Sequence, residues 1–306
     1  MRMLRLSPRT EDCYAHWISE FCFWTGWKPP ETFSTEDVTN YLSTLASERK
    51  VSASTQNQAF NALLFLFRRV LEKEFGEVKS ERASISANVP EWLTKEELKS
   101  ILPHLNGDFK TLTLLGYGTG LRLMELLRLR VKDIDFGNGI ISVRRGKGNK
   151  DRTVPLPKTL AETLRIKIAM VSAQHKQDLS DGFGEVYLPD CIAAKYPNAA
   201  KDLKWQYVFP SAKICTDKET GRRGRHHLFE TGFQAALKKA GEKAGLSKRV
   251  HPHCLRHSYA THCLEMGISL IQLQQLLGHK EITTTQRYLH CVDTKRQRSP
   301  LDCLCD

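Results

Sequence analysis

The sequence lacks several features that define large classes of protein. No apolar run approaches the roughly 18 residues that a membrane-spanning helix needs, and the first ten residues, MRMLRLSPRT, contain no apolar segment of a secretory signal. The nine cysteines include no C-x-x-C pair, so a structural zinc site is not expected. These absences indicate a cytosolic protein in a reducing compartment, with no membrane partner.

Signatures of nucleotide and two-metal chemistry are missing as well. The glycine-rich turn at residues 116–120 does not have the G-x-x-x-x-G-K-[ST] order of a Walker motif, so we interpret it as a break between helices. No carboxylate cluster has the pattern of a two-metal site. We therefore predict that the protein uses no metal, no ATP and no other cofactor.

Positive charge is what the sequence has in excess. Its 306 residues include 46 Lys and Arg against 34 Asp and Glu, which gives a formal net charge of +12. This balance favours a polyanionic partner but does not identify it. The length suggests two domains, at roughly 100–200 residues per domain.

Residues 1–75 have the pattern of a small helical domain with a basic side. A first helix is predicted to begin at Pro8, a second at the capping pair Ser34 and Asp37, and a third near Ser52 or Ser54. Apolar side chains recur at helical spacing in each of them. The positions that predict the buried faces are Tyr14, Trp17, Ile18, Phe21, Val38, Tyr41, Leu42, Leu45, Ala59, Phe60, Leu63, Phe67, Val70 and Leu71.

A linker is predicted at residues 76–92, where Gly, Ser and Pro90 interrupt the helical pattern. The second domain, residues 93–306, opens with a capping box at Thr94 and Glu97. Its patterns predict a mainly α fold with a small antiparallel β-sheet. The predicted elements are strands at 140–143 and 153–156 around a turn at 146–149, and helices at 157–174, 229–245 and 256–277.

Chemistry-bearing residues concentrate in the last third of the chain. The string HCLRH at 253–257 is followed by LGH at 277–279 and by Tyr288 nine residues later. These three elements resemble the second conserved box of the tyrosine recombinase family. Each string alone is a weak signal, because HxxR and LGH occur by chance on ordinary helices.

Two upstream elements extend the resemblance. GLR at 120–122, with Glu125, resembles the first box of the family, and GKG at 146–148 resembles the turn that carries its catalytic lysine. Five elements in the right order make the combined signal strong. The resemblance implies a helical DNA-clamping domain, a linker and a mixed catalytic domain, and a tetramer of four protomers on DNA.

The resemblance assigns a catalytic role to six side chains and a supporting role to Glu125, and their chemistry fits those roles. Arg122 and Arg256 are the expected clamp on the non-bridging phosphate oxygens, since planar guanidinium groups suit those atoms. Glu125 is expected to hold Arg122, although an ordinary surface ion pair would have the same spacing. Lys147 is expected to protonate the leaving 5′ oxygen. By residue type alone, Lys147 cannot be told from a solvated lysine in a hairpin turn.

Tyr288 is the expected nucleophile. A tyrosine hydroxyl has a reference pKa of about 10, so attack at neutral pH needs a nearby proton acceptor or a strongly positive site. We predict that His253 is the acid/base partner and that His279 hydrogen-bonds the phosphate or positions Tyr288. Structural histidines are common, so both predictions depend on the resemblance. The product would be a 3′-phosphotyrosine bond.

Contacts to DNA phosphates are predicted for a set of basic residues rather than for its individual members. The set is Arg68, Arg69, Arg144, Arg145, Lys150, Arg152, Lys238, Lys239, Lys248 and Arg249. Each of these residues alone is equally consistent with a solvated surface charge.

A narrower resemblance is to integron integrases, which carry an extra segment that we place at 176–228. KYP at 195–197, WQYVFP at 205–210 and RHHL at 225–228 are similar to it. In that subfamily the segment is a platform for bases that protrude from a folded DNA strand, a task that suits aromatic side chains. The candidate residues are Trp205, His226 and His227. Packing in the core is an equally good explanation of Trp205.

The same residues are also consistent with other functions. A recombinase for chromosome dimers or phage DNA would act on ordinary duplex sites, and a type IB topoisomerase would share the chemistry. From another class, a DNA-binding protein without catalysis could keep the same scaffold. The presence of all six proposed catalytic side chains argues against that alternative.

Overall fold

A computed structural model describes residues 8–83, 91–144, 151–188, 190–216, 221 and 223–289. The chain divides into two compact units, Met1–Val89 and Pro90–Asp306. Each unit has its own buried core. None of the helices in the described ranges combines the length and the apolar content that crossing a membrane requires.

The first unit is helical, as predicted. Ser34 and Asp37 form the expected capping box, in which each side chain accepts from the backbone N–H of the other residue, and Ser52 caps the third helix. The helices are α1 (Pro8–Trp24), α2 (Thr35–Ser47) and α3 (Ala53–Phe65), and α3 continues into a π-helical turn at Leu66–Val70.

Aromatic side chains fill the core of this unit. Phe21 lies at ring-centroid distances of 5.0 Å from Phe33 and 5.4 Å from Tyr41, in edge-on contacts that aromatic pairs favour. Trp17 and Phe21 are buried, which confirms the face predicted for α1. Arg68 and Arg69 are exposed on the π-helical turn.

The start of the predicted linker belongs to the first unit. The buried side chain of Gln56 donates to the carbonyl of Glu81 at 2.6 Å and accepts from the backbone N–H of Ala83 at 3.0 Å. A buried amide needs such partners, so it fixes the segment that follows the helices. Ala83 is buried while Glu81 and Arg82 are exposed, so this part of the predicted linker is hydrogen-bonded to the first unit.

The second unit is mainly helical around a small antiparallel sheet. Strand order is β1-β2-β3, with Ile141 opposite Val154 at the centre of the predicted hairpin. The strands are β1 (Ile134–Asp135), β2 (Ile140–Val143) and β3 (Arg152–Pro155), with a separate pair β4 (Cys215–Thr216) and β5 (Arg223–Gly224). The helices are α4 (Lys95–Ile101), α5 (Gly107–Thr119), α6 (Leu123–Leu127), α7 (Ala161–Ser180), α8 (Asp190–Lys195), α9 (Glu230–Lys243), α10 (Pro252–Glu265), α11 (Leu270–Leu277) and α12 (Ile282–Gln286).

Two helix predictions differ from the structure. The single helix expected at 256–277 is two helices, because Ser269 forms a capping box with Gln272 and starts α11 after a turn. The helix expected at 157–174 begins later, at Ala161, after a 3-10 turn. The capping box at Thr94 and Glu97 is confirmed at the start of α4.

Helices α5 and α10 pack against each other and position the residues that follow α5. Gly120 ends α5 in the left-handed conformation, with φ +62°. A Cβ atom at this position would lie 2.3 Å from Cδ1 of Tyr259 on α10. Glycine is therefore required here both by the backbone conformation and by the close approach of α10.

We expect Gly120→Ala to destabilise the second unit by about 2–5 kcal/mol, which combines the left-handed conformation with overpacking against Tyr259. Urea unfolding measures the loss. Gly139→Ala is a matched control, because Gly139 also has positive φ but has open space where its Cβ would be. It should cost only about 1–2 kcal/mol. Equal losses for the two variants would contradict the packing argument.

Candidate active site

The centre of the site is a buried guanidinium group. Arg256 on α10 is 1% exposed, and it donates to the carbonyls of Gly120 and Leu277 at 2.6 Å each. These carbonyls lie at the C-terminal ends of α5 and α11, where helices have unsatisfied acceptors and partial negative charge. Burial, reinforced by the charge of Arg122, lowers the pKa of Arg256 to about 9.

The second arginine lies beside the first and faces solvent. Arg122 caps α6 and donates to Glu125 Oε1 at 2.9 Å and to the carbonyl of Gly278 at 3.2 Å. The predicted contact with Glu125 is therefore present. The Arg122 side chain is 24% exposed, so it can meet an incoming anion.

Arg152 has a different place from the one predicted. Its guanidinium forms a bidentate pair with Glu125 at 3.0 and 2.7 Å and also donates to the carbonyl of Leu276 at 2.9 Å. The side chain is 11% exposed. In this arrangement it is not presented to a DNA phosphate. The pair with Glu125 explains the buried position of Arg152, since a buried carboxylate needs a partner of opposite charge.

Glu125 thus holds two guanidinium groups at once. Burial alone would raise the pKa of this carboxyl, but the hydrogen bonds and charges of Arg152 and Arg122 lower it to about 2. The carboxylate is ionised at neutral pH and fixes both arginines. Arg152 follows the hairpin turn in the chain, so this pair joins β3 to α6.

Tyr288 is buried and its hydroxyl is held by a histidine other than the predicted one. The hydroxyl lies 2.9 Å from Nδ1 of His257. The His253 ring instead packs against the His257 ring, with centroids 4.7 Å apart. Residues four apart share one face of a helix, so the string HCLRH placed both histidines on the same side of α10. The four-residue spacing of the two histidines was the sequence feature that pointed to His257. The sequence interpretation selected only His253.

His279 is held by hydrogen bonds at both ring nitrogens. Its Nε2 accepts from Arg256 at 3.0 Å, so Nδ1 carries the proton and donates to Thr285 Oγ1 at 2.8 Å. Burial, followed by the charge of Arg256, lowers the pKa of His279 to about 3, which keeps the ring neutral. Its plane lies 10° from that of the Tyr288 ring. Thr285 is a further residue that the sequence interpretation missed.

The remaining basic candidates have varied surroundings. Lys147, Arg145 and Lys150 lie outside the described residues. Lys248 is paired with Glu97 at 2.8 Å, which ties it to α4. The candidates with exposed side chains in the second unit are Arg144, Lys238, Lys239 and Arg249.

A cavity of about 470 Å³ lies beside the sheet and contains part of the predicted aromatic platform. Trp205 and His226 line it together with Tyr207, Lys132 and other basic residues. Lys132 Nζ lies 2.9 Å from the centroid of the Trp205 ring, and burial lowers the pKa of this lysine to about 8. The sequence interpretation missed Lys132, because only the fold brings it to Trp205.

His227 does not belong to this platform. It is 5% exposed and lies behind His226, with ring centroids 3.9 Å apart. Burial lowers its pKa to about 4, so the ring is neutral. A base cannot stack on a ring that is covered by protein, so the structure places His227 in the packing of the segment.

The fold and this cluster of arginine, histidine and tyrosine side chains define a tyrosine recombinase, an enzyme that transfers DNA strands. The family model described as "Phage integrase family" matches residues 91–295, and that described as "Phage integrase, N-terminal SAM-like domain" matches residues 1–77. The chain belongs to the phage integrase family.

Several relatives are similar over nearly the whole chain. An "Integrase/recombinase" of Escherichia coli is 42% identical and covers 99% of this chain and 91% of its own. "Tyrosine recombinase XerA" of Thermococcus kodakarensis is 32% identical over 92% of this chain and 84% of its own.

Two solved structures share the fold. The Tn1549 transposon integrase in complex with transposon right end DNA has a TM-score of 0.64 at 18% identity, covering 98% of this chain and 92% of that chain. A lambda integrase dimer bound to a core site has a TM-score of 0.59 at 20% identity, covering 96% and 92%.

We expect Arg152→Ala to lower the free energy of unfolding by about 3 kcal/mol at pH 7, because it removes one partner of a buried ion pair. Glu125 stabilises the fold fully above its unfolded pKa of 4.5 and loses this effect as the pH falls towards about 2. The difference between wild type and variant should therefore be smaller at pH 3 than at pH 7.

Urea unfolding at both pH values checks this expectation. Arg144→Ala is the matched control, since it removes an arginine whose side chain is 51% exposed in its pair with Asp133. It should cost no more than about 1 kcal/mol. A loss for Arg152→Ala as small as that of the control would contradict the role given to the buried pair.

Proposed function

We propose that this enzyme cleaves and rejoins DNA at specific sites through a 3′-phosphotyrosine bond formed by Tyr288. The observation that carries the proposal is the contact of the Tyr288 hydroxyl with His257, one residue along α10 from the buried Arg256. A nucleophile, a proton-accepting group and a fixed cation thus meet in one place.

The two arginines would bind the scissile phosphate. Bonds from Arg256 to Gly120, Leu277 and His279 use three of its five N–H groups, which leaves donors for phosphate oxygens. Arg122 adds a second guanidinium at the exposed edge. Charge on the non-bridging oxygens grows during attack, and preorganised cations stabilise it. Because Arg256 is 1% exposed in the DNA-free chain, DNA binding must open a path to it.

The reaction conserves the energy of the phosphodiester. The Tyr288 oxygen forms a bond to phosphorus, the bond to the 5′ oxygen breaks, and Lys147 donates a proton to that oxygen. A 5′ hydroxyl from a partner strand then reverses these steps. Exchange between two duplexes requires four such cleavages, so we include a tetramer on DNA in the proposal.

We further propose that the enzyme recombines integron cassettes by recognising bases that protrude from a folded strand. The cavity lined by Trp205, Tyr207 and His226 supports this proposal, since aromatic faces can stack on any base. Arg144 and Lys132 on the same wall would contact the adjoining phosphates.

A second candidate is a Xer-type recombinase that acts on duplex sites. Two observations favour it. Relatives named XerA are 29–32% identical to this chain, and Lys132 already covers one face of the Trp205 ring. If the protein is such a recombinase, the Trp205 ring packs against its neighbours and stabilises the segment at 176–228.

We expect wild type to form a covalent adduct with a nicked suicide substrate and Tyr288→Phe to form none, because only the hydroxyl oxygen can bond to phosphorus. Denaturing electrophoresis of labelled DNA detects the adduct. Binding of both proteins to intact DNA, measured in parallel, separates loss of chemistry from loss of binding. An adduct that persists in Tyr288→Phe would rule out this nucleophile.

We expect Trp205→Ala to weaken binding to the folded strand of an integron site by about tenfold or more, since stacking contributes about 1–3 kcal/mol per base. Binding to a duplex of the same sequence should not change. Tyr196→Ala is the matched control, because Tyr196 is an exposed aromatic in the same segment with Lys195 near its ring. Equal binding of wild type and Trp205→Ala to the folded strand would favour the duplex candidate.

A further inference from the structure

Helix α7 exposes large apolar side chains on the side that faces away from the core. Leu164, Val171 and His175 of this helix are buried. Ile166 and Met170 are 56% and 62% exposed. At 3.6 residues per turn, residues 164 and 166 lie about 200° apart around the helix axis. The two exposed side chains therefore point away from the face that packs on the second unit.

Two alanines extend this apolar surface. Ala169 and Ala173 are exposed, and they follow Ile166 at positions i+3 and i+7, which lie on one helical face. Single apolar residues are normal on a protein surface, but four on one face of consecutive turns form a continuous patch. Ile166, Ala169, Met170 and Ala173 are called the α7 patch, in which large and small side chains alternate.

The α7 patch is complementary to itself. If two copies of α7 lie antiparallel with their centres near residues 169 and 170, Ile166 of one protomer faces Ala173 of its partner. Met170 then faces Ala169. Each large side chain meets a small one, so the two faces can interdigitate at the density of a protein interior. A parallel pair would instead place each large side chain beside its own copy.

Opposite charges flank the α7 patch at its two ends. Glu162 lies one turn before Ile166, Lys176 lies three residues after Ala173, and both are exposed. The antiparallel arrangement places Glu162 of each protomer beside Lys176 of the other, because the two residues are equally distant from Ala169. A symmetric pair makes this contact twice. A parallel pair would bring like charges together.

Other kinds of partner fit the α7 patch less well. Surfaces that bind DNA carry an excess of Lys and Arg, whereas this patch is apolar and has one charge of each sign at its ends. A helix that lies on a membrane presents large apolar residues such as Trp, Phe and Leu, and half of this patch is alanine. A second copy of the chain matches both the sizes and the charges.

We propose that α7 is a docking surface for α7 of a second copy of this chain, in an antiparallel pair with a twofold axis near Ala169. Such a contact uses the same surface on both partners, so it closes at two chains and forms no filament. The inference does not rest on the proposed function, because no residue of the α7 patch lines the cavity around Trp205 or belongs to the arginine cluster.

The size of the contact sets its strength. A helix of 20 residues is about 30 Å long and about 10–12 Å wide. A pair of such helices buries less than the roughly 800 Å² per partner of a standard stable interface. The dimer is therefore weak, and we expect it to form in the micromolar range of protein concentration.

Charge reversal tests the register of the pair. Glu162→Lys and Lys176→Glu each turn both end contacts into like-charge pairs, so each variant alone should dimerise about fivefold more weakly than wild type. In a mixture of the two variants, the mixed dimer has opposite charges at both ends. The mixture should therefore dimerise about as tightly as wild type. Sedimentation velocity without DNA, across the micromolar range, measures the dissociation constants.

Ala169→Glu tests the apolar centre of the pair. Two carboxylates would lie next to the twofold axis without a partner of opposite charge, so this variant should be monomeric across the same concentrations. Glutamate is a good helix former, and thermal unfolding checks that the fold persists. Ala15→Glu is the matched control, since Ala15 is also an exposed alanine within a helix but lies on α1. It should dimerise like wild type.

Three results would overturn the inference. Wild type that stays monomeric across the micromolar range would show that no second copy docks on α7. A mixture of the charge variants that dimerises no more tightly than either variant alone would exclude the antiparallel register. A dimer that persists in Ala169→Glu would use another surface. These measurements need neither DNA nor the chemistry of Tyr288, so their outcome is distinguishable from a failure of the proposed function.

Discussion

A positive charge held inside the protein is the constraint on which the site depends. Arg256 is buried, and charged groups are stable there only when acceptors surround them. The ends of α5 and α11 supply carbonyls from Gly120 and Leu277. Left-handed glycines at residues 120 and 278 end these helices where the carbonyls are needed. The position of the Arg256 guanidinium therefore depends on where both helices end.

A single carboxylate organises the rest of the charge. Glu125 pairs with both Arg122 and Arg152, so the group of three arginines keeps an excess of positive charge at the opening. Burial, followed by that charge, lowers the pKa of His279, which stays neutral and accepts from Arg256. In the proposed function, DNA binding must first open a path to Arg256, but the guanidinium groups that a phosphate would meet are already held in place, so little reorganisation of them is needed when negative charge develops.

Two adjacent residues of helix α10 have different partners in the site. Arg256 and His257 are adjacent in the chain, yet one faces the carbonyls of neighbouring helices and the other faces Tyr288. The cavity around Trp205 is formed largely by the sheet and the segment that follows α7, and its lining also includes Glu125, which pairs with Arg122 and Arg152. In the proposed function, base recognition and phosphate transfer would thus use neighbouring surfaces of the same unit that share Glu125.

The sequence by itself determined the local structure and the residue types of the site. The capping boxes at Ser34 and Thr94 and the central hairpin pairing could be read because they depend on neighbours in the chain. Only the tertiary structure decided that Tyr288 meets His257 rather than His253, and that Arg152 turns inward to Glu125, 27 residues away. His253 and His257 lie one helical turn apart on the same face of α10. The sequence pattern therefore does not tell which of the two contacts Tyr288. The packing of α11 on α10, and of α12 on α11, makes the choice, because it fixes which ring reaches the buried hydroxyl.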